Sequence, residues 1–311
     1  MGKTAILFPG QGAQKVGMGR DLYDALPAAR QVYDRANAAL DIDITTLCFD
    51  GPKDELNDTA VCQAAVLVTS LAALEALRAR HPAAVKADLT AGLSLGEYTA
   101  LVFAGAVDLE DAVRLVRQRG LFMKEAGKAR PGGMVSIIGP DRAAVMQIVD
   151  DCQSEGTLVA ANFNSPQQVV LSGSSEAVDC AARLATERGA RRAIKLAVSA
   201  AFHSPLMEPA AEKLKAELEK TAFRAPQVPL VSNVSARYVE TADQVRDLLA
   251  RQLTSPVLWV DSMQFMIGEG VTQAIEVGPG RVLCGLLAKT DRSVSLAHVG
   301  ALADLDAIEA G

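Results

Sequence analysis

Gly92-Leu93-Ser94-Leu95-Gly96 places a serine between two glycines, after the apolar Leu89 and Ala91 and before the helix-forming run Glu97-Tyr98-Thr99-Ala100-Leu101-Val102. A strand that reverses sharply into a helix holds its corner residue in a strained backbone conformation, and flanking glycines remove the Cβ atoms that would clash there. A serine at such a corner lifts its hydroxyl over the sheet end with a helix N-terminus beneath it, a setting that suits an oxyanion. The same residues also make an ordinary turn, so the pentapeptide alone leaves both readings open. A serine hydroxyl is a weak nucleophile and needs an adjacent base. The chain has three histidines. His81 sits at a charged helix end in Arg78-Ala79-Arg80-His81-Pro82 and reads as a surface residue, and His298 reads as part of a peripheral strand or loop. His203 follows a predicted strand and precedes an amphipathic helix, in the kind of loop where α/β folds keep their chemistry. The chain order serine, acid, late histidine of ordinary α/β-hydrolases would instead favour His298, with Asp261 or Glu276 as the acid. The residues by themselves leave His203 and His298 both in play.

The elements that must position these groups alternate between strand and helix. A strand at Thr4–Phe8 runs into the loop Pro9-Gly10-Gln11-Gly12-Ala13-Gln14. This loop is not a dinucleotide fingerprint, because Lys15 stands where the last glycine is needed, and Gly2-Lys3-Thr4 has no preceding phosphate loop. Helices are predicted at Met18–Leu26, Ala28–Leu40, Val61–Arg80, Glu97–Phe103 and Leu109–Ala126. After Pro131-Gly132-Gly133 the pattern becomes strand Met134–Ile138, helix Arg142–Cys152, strands Leu158–Phe163 and Gln168–Ser172, helix Glu176–Arg188 and strand Ala193–Val198. That order is a split βαβ, or ferredoxin-like, unit. Helix Pro205–Thr221, strand Pro229–Asn233, helices Ala242–Leu253 and Trp259–Glu269, strand Thr272–Val277 and a short helix from Val282 then resume the larger pattern. The predicted fold class is α/β, a hydrolase-like, mostly parallel sheet covered by helices, with an inserted ferredoxin-like subdomain. The predicted division is 1–126 with 199–311 for the large subdomain and 127–198 for the small one.

Composition narrows the function. Half of the 311 residues are hydrophobic and 4% are aromatic, so aliphatic side chains must build most of the core. A net charge of −6 and the lack of a long basic block argue against nucleic acid as a partner. The apolar stretch Ala60–Leu77 is broken by Gln63, Thr69, Ser70 and Glu75, and reads as a buried core helix rather than a membrane span. The start of the chain is too poor in apolar residues for a signal peptide. Five scattered cysteines, Cys48, Cys62, Cys152, Cys180 and Cys284, indicate neither a disulfide framework nor a zinc site, which fits a reducing cytoplasm.

Taken together, the motifs resemble the malonyl-CoA:acyl-carrier-protein transacylase family of fatty acid synthesis. The matching residues are Phe8-Pro9-Gly10-Gln11-Gly12 with Gln14, Gly92-x-Ser94-Leu95-Gly96-Glu97-Tyr98, Arg119-Gly120 and Asn162-x-Asn164-Ser165-Pro166. Phe202-His203-Ser204, Gln252 with Ser255-Pro256-Val257, and Glu276-Val277-Gly278-Pro279-Gly280 complete the set, in the family's order and over nearly the whole chain.

The resemblance implies an acyltransferase that moves malonyl from malonyl-CoA to the phosphopantetheine thiol of acyl carrier protein through a malonyl-serine. It implies Ser94 as nucleophile and His203 as base, steadied by a main-chain carbonyl near Gln252. The backbone amides of Gln11 and Leu95 would form the oxyanion hole. Arg119 would bind the malonyl carboxylate, a role that a guanidinium fills with two parallel hydrogen bonds. Asn162, Phe202 and Gln252 would lie around the substrate, Phe202 crowding the acyl α-carbon so that malonyl is preferred to methylmalonyl. No metal and no cofactor beyond the coenzyme A thioester is expected, and the enzyme is expected to be a cytoplasmic monomer with no membrane or nucleic-acid partner. A basic rim including Lys128, Arg191, Arg192 and Lys195 is expected to meet the acidic carrier. Leu93 departs from the family, most members of which have histidine before the nucleophile.

Overall fold

In a computed structural model, described here over residues 2–198 and 200–308, the chain builds two sheets. Met1, the 199 boundary drawn from the sequence and residues 309–311 lie outside the described residues. The strands, in chain order, are β1 (Lys3–Phe8), β2 (Leu89–Gly92), β3 (Gly133–Ile138), β4 (Leu158–Ser165), β5 (Gln168–Gly173), β6 (Arg192–Lys195), β7 (Leu230–Val231), β8 (Tyr238–Val239), β9 (Val271–Val277) and β10 (Ser295–Val299).

The larger sheet runs β10-β9-β1-β2-β7-β8. Every neighbour pair in it is parallel except β7 with β8. Strands covered on both faces read as continuous apolar runs, and Ala5, Ile6, Leu7 and Phe8 of β1 are accordingly buried. Register sets Phe8 beside Gly92, so the loop after β1 and the serine turn after β2 leave the carboxyl edge side by side. That edge is where open α/β sheets hold ligands.

The smaller sheet runs β4-β5-β3-β6, all antiparallel, with helices Arg142–Asp151 and Ser175–Glu187 between its strands in chain order. This is the split βαβ order expected from the sequence. β6 is shorter than the predicted Ala193–Val198: the Leu196 amide still donates to the Met134 carbonyl of β3 at 2.9 Å, and Leu196, Ala197 and Val198 line the cleft between the two sheets. The predicted strand Pro229–Asn233 is likewise cut to β7, which frees Asn233 beyond the sheet edge. The predicted helix Pro205–Thr221 begins as a 3-10 turn, Pro205–Met207, capped by Ser204, whose Oγ accepts from the Leu206 amide at 3.2 Å.

Helix Thr59–Arg80 is apolar on nearly every side because it is packed on nearly every side. Sixteen of its residues are buried, and Asp58 caps it by accepting from the Ala60 amide at 2.9 Å. Its length and composition would permit a membrane span, but 89% of that apolar window is inside the protein, as the sequence reading expects. Helix Leu109–Ala129 packs against it at Gly120, where any Cβ would press into the Thr59 carbonyl. This close approach carries the neighbouring Arg119 into the interior.

The sheets are stitched together beside Val257, whose carbonyl accepts from the Phe163 amide (2.9 Å) and whose amide donates to the Ala161 carbonyl (2.8 Å). The next amide, Leu258, donates to the Asn233 carbonyl at 2.8 Å.

The structure overturns one expectation from composition, since Cys152 and Cys180 form a disulfide. They stand 28 positions apart in sequence, and nothing in that spacing announces a pair. Both flanking helices pack on one face of the small sheet, which brings the two Cα atoms to 6.0 Å.

Candidate active site

Ser94 occupies the turn between β2 and helix Gly96–Phe103 with φ of 51°, a left-handed conformation that costs a non-glycine residue about 1–3 kcal/mol. The flanking glycines make the turn possible. A Cβ on Gly92 would run into the Gly96 backbone, and one on Gly96 into the Phe8 carbonyl. Asn233 pins the corner from outside, its Oδ1 accepting from the Ser94 amide at 2.5 Å and its Nδ2 donating to the Gly92 carbonyl at 2.7 Å.

Ser94 Oγ lies 2.8 Å from His203 Nε2. His203 Nδ1 lies 2.8 Å from the main-chain carbonyl of Gln252, an acceptor only, so Nδ1 carries the ring proton and Nε2 is free to accept from the serine. A backbone carbonyl thus takes the orienting place that the aspartate fills in a Ser-His-Asp triad. His203 is itself left-handed, with φ of 58°. Burial, then the nearby Arg119 charge, pulls its pKa down to about 4. The imidazole is therefore neutral at neutral pH, the state a base requires. Acylation of the free enzyme is expected to stay level from about pH 8 down to about pH 5.5 and to fall as pH drops through about 4, where a protonated ring cannot accept. The pH profile of kcat/KM for acylation checks this, and an acid limb near 6.5 would contradict it.

The alternative histidine is excluded by position. His298 Nε2 sits 3.0 Å from the Gly278 carbonyl and Nδ1 3.3 Å from Asp304, inside the β10 edge of the sheet. Its proposed acids are occupied as well: Glu276 accepts from the Leu283 and Cys284 amides, and Asp261 pairs with Arg142.

Arg119 is 1% exposed. Its Nη2 donates to Ser94 Oγ (3.1 Å) and Gln252 Oε1 (3.0 Å), and its Nη1 to Gln63 Oε1 (2.6 Å). Its Nε is buried with no partner among the described residues, leaving one donor for a further acceptor. Burial lowers its pKa, yet a guanidinium keeps its charge. Three other cations of the same helix behave differently: Arg114, Arg117 and Lys124 pair with Asp111, Asp41 and Asp58 near the surface. Arg119 is the charge aimed at Ser94.

Among the described residues, neither the Gln11 nor the Leu95 amide has a hydrogen-bond partner. Both flank Ser94, one from the loop after β1 and one at the head of helix Gly96–Phe103, where helix geometry leaves amides unpaired. The cavity over Ser94 has a volume of about 480 Å³, and Gln11, Leu93, Arg119, Asn162, Phe202 and His203 are among its walls. Leu93 contributes an apolar surface. Gln252, expected beside the substrate, is instead 1% exposed and stands behind Arg119 and His203, because both of its amide ends and its carbonyl are already engaged. Sequence reasoning gave no role to Asn233, Glu97 or Gln63. The one available signal was their polar type within otherwise apolar surroundings.

Residues 6–305 match the acyl transferase domain family. The chain is also 47% identical over 293 residues to malonyl CoA-acyl carrier protein transacylase of Bacillus subtilis strain 168, covering 94% of this chain and 92% of that protein. This chain belongs to that transacylase family. An acyl-carrier-protein S-malonyltransferase from Burkholderia pseudomallei 1710b superposes with a TM-score of 0.94 at 40% identity, over 98% of each chain. A malonyl-transacylase solved with its type II polyketide synthase acyl-carrier protein superposes with a TM-score of 0.93 at 41% identity, again over 98% of each. The family membership and the α/β class inferred from the motifs are therefore those of this acyltransferase.

Proposed function

We propose that the enzyme transfers malonyl from malonyl-CoA to the phosphopantetheine thiol of acyl carrier protein in fatty acid synthesis. The observation that carries this reading is the contact of Ser94 Oγ with both a neutral imidazole and a buried guanidinium. An esterase needs the first. A transferase selective for an acyl group bearing a free carboxylate needs both.

In the first half-reaction Ser94 Oγ attacks the thioester carbonyl carbon while His203 Nε2 takes the hydroxyl proton. The Gln11 and Leu95 amides receive the oxyanion, each such donor being worth on the order of 10²–10³ in rate. The carbon–sulfur bond breaks, coenzyme A leaves, and Nε2 returns the proton to its sulfur. In the second half-reaction the carrier thiol gives its proton to Nε2 and attacks the malonyl-serine carbonyl. The Ser94 oxygen departs and recovers that proton. Arg119 holds the malonyl carboxylate throughout, and Asn162 and Phe202 bound the acyl pocket. A thioester is already activated, so this sequence calls for no cofactor. Each chain carries a whole site, so a monomer suffices.

The rim proposed to receive the acidic carrier begins at β6, with Arg192 and Lys195 exposed and Lys195 paired with Asp179. Arg191 lines a neighbouring cavity of about 590 Å³ with Lys289 and Arg292, and Gln168 is shared between that cavity and the one over Ser94. Lys128, near the end of helix Leu109–Ala129, is exposed. We assign the reaction to the cytoplasm. The small sheet has its own buried core around Val135, Ile148 and Leu171, so its packing does not depend on the Cys152–Cys180 link alone.

Intact-mass measurement after incubation with malonyl-CoA tests the assignment. The expected result is a malonyl adduct that persists in water and disappears when carrier is added, the second step slowing as salt screens the basic rim. Rapid loss to water would make the protein a hydrolase, and the absence of any adduct would make it a binding protein. The likeness to a polyketide transacylase gives a second carrier to compare in the same assay.

A further inference from the structure

Glu97 begins the helix that follows the nucleophile, where a carboxylate ordinarily faces solvent near the positive helix end. Here it is 2% exposed and turned inward. Its Oε2 accepts from Gln252 Nε2 at 2.8 Å and from the Asn233 amide at 3.1 Å, and the Ser232 hydroxyl also faces the carboxylate. Among the described residues it has no salt-bridge partner. Burial pushes its pKa up to about 7. Such a group is costly to bury, and none of the acyl-transfer steps uses it.

Both of its partners touch the reacting machinery. Asn233 pins the serine corner. Gln252 meets Ser94, His203 and Arg119 at once: its Nε2 also donates to the Ser94 carbonyl (3.1 Å), its main-chain oxygen holds His203, and its Oε1 accepts from Arg119. A glutamine amide has nearly the same shape when rotated by half a turn, but its donor and acceptor exchange places. A flipped Gln252 would set an N–H group against the Arg119 cation. Glu97 Oε2 keeps a lone pair for Gln252 whether or not the carboxyl is protonated, so together with the Ser94 carbonyl it selects the orientation in which Oε1 faces Arg119.

We propose that Glu97 is a positioning residue for acyl transfer: by accepting from Gln252 and Asn233 it fixes the amide orientation that aims Arg119 at the acyl carboxylate and holds the serine corner against the histidine anchor. The inference rests on the malonyl-transfer reading above. Glu97→Ala is expected to lower the rate constant of serine acylation by malonyl-CoA by about 10- to 100-fold. Because the defect runs partly through Arg119, the malonyl KM rises and the acetyl-CoA KM does not. Glu97→Gln keeps an acceptor for Gln252 and can donate to Ser232, and it restores the malonyl rate to within about fivefold, on the scale of one neutral hydrogen bond. Rates are taken per active site titrated by adduct formation, so a folding defect lowers the count of sites and leaves the constants alone. A wild-type malonyl-to-acetyl ratio per titrated site in Glu97→Ala would overturn the proposal. Should that variant fail to fold, Gln252→Ala removes the intermediary and keeps the main-chain carbonyl. An unchanged ratio there overturns the proposal equally. The malonyl-transfer reading fails separately, if the wild-type enzyme forms no malonyl-serine at all.

Discussion

Ser94→Ala is expected to abolish the malonyl adduct and to lower transfer to carrier by about 10⁴- to 10⁶-fold, the range found when a serine nucleophile is removed from a working site. The size follows from the geometry. Among the described residues, the hydroxyl touching both His203 and Arg119 is that of Ser94, and its loss leaves a base without a proton to take. What survives is binding and the two free amides at Gln11 and Leu95, so the residual rate should stay above that of thioester exchange in water. His203→Ala should cost a comparable factor, and the double variant little more than either alone, because the two act as one unit. Steady-state transfer rates with intact-mass spectra of all three proteins check this. A Ser94→Ala enzyme that still carries malonyl, or still loads carrier at full speed, would refute the covalent mechanism.

Arg119→Ala is expected to lower kcat/KM for malonyl-CoA by about 10²- to 10³-fold, from the 2–5 kcal/mol lost when one partner of a buried charge pair is removed. Acetyl-CoA, which has no carboxylate to pair, should react as before or faster. The comparison has to be made per titrated site, since the variant also strands Gln63 Oε1 and Gln252 Oε1 without their donor, at about 1–3 kcal/mol for each buried group. Arg119→Lys keeps the charge and loses the two-pronged geometry, so it should recover only part of the malonyl rate. Equal losses for malonyl and acetyl substrates would remove the carboxylate from Arg119's role.

Local patterns made much of this legible before any coordinates. The glycines about Ser94 reported a tight corner because each sits where a Cβ would meet backbone, and the strand–helix alternation gave both sheets because period and turn chemistry are local properties. Choosing His203 over His298 was beyond the residues themselves. His203 follows strand-like sequence and His298 reads as part of a peripheral strand or loop, and only the folded path shows that one faces Ser94 at 2.8 Å while the other is tied to Gly278. The resemblance, not the pattern, pointed to the one that lies beside Ser94. Arg119 was one of several cations on an amphipathic helix, and its burial depends on Gly120 letting a second helix come close. Glu97 looked like an ordinary acidic first-turn residue, and Asn233 like the last residue of a strand. Their roles arise from contacts 155 and 139 residues away along the chain, to Gln252 and Ser94. The Cys152–Cys180 link was missed for the same reason, because it depends on how two helices lie on one sheet.

The seam at Val257 limits how this molecule can breathe. It ties the small sheet to the segment just beyond Gln252 and, through Leu258, to Asn233. Swinging the lobes apart there would slacken the imidazole's anchor and the serine's clasp together, disarming the enzyme at the moment of opening. The thiols of coenzyme A and of the carrier's arm would then reach Ser94 in turn through the one cavity described above it.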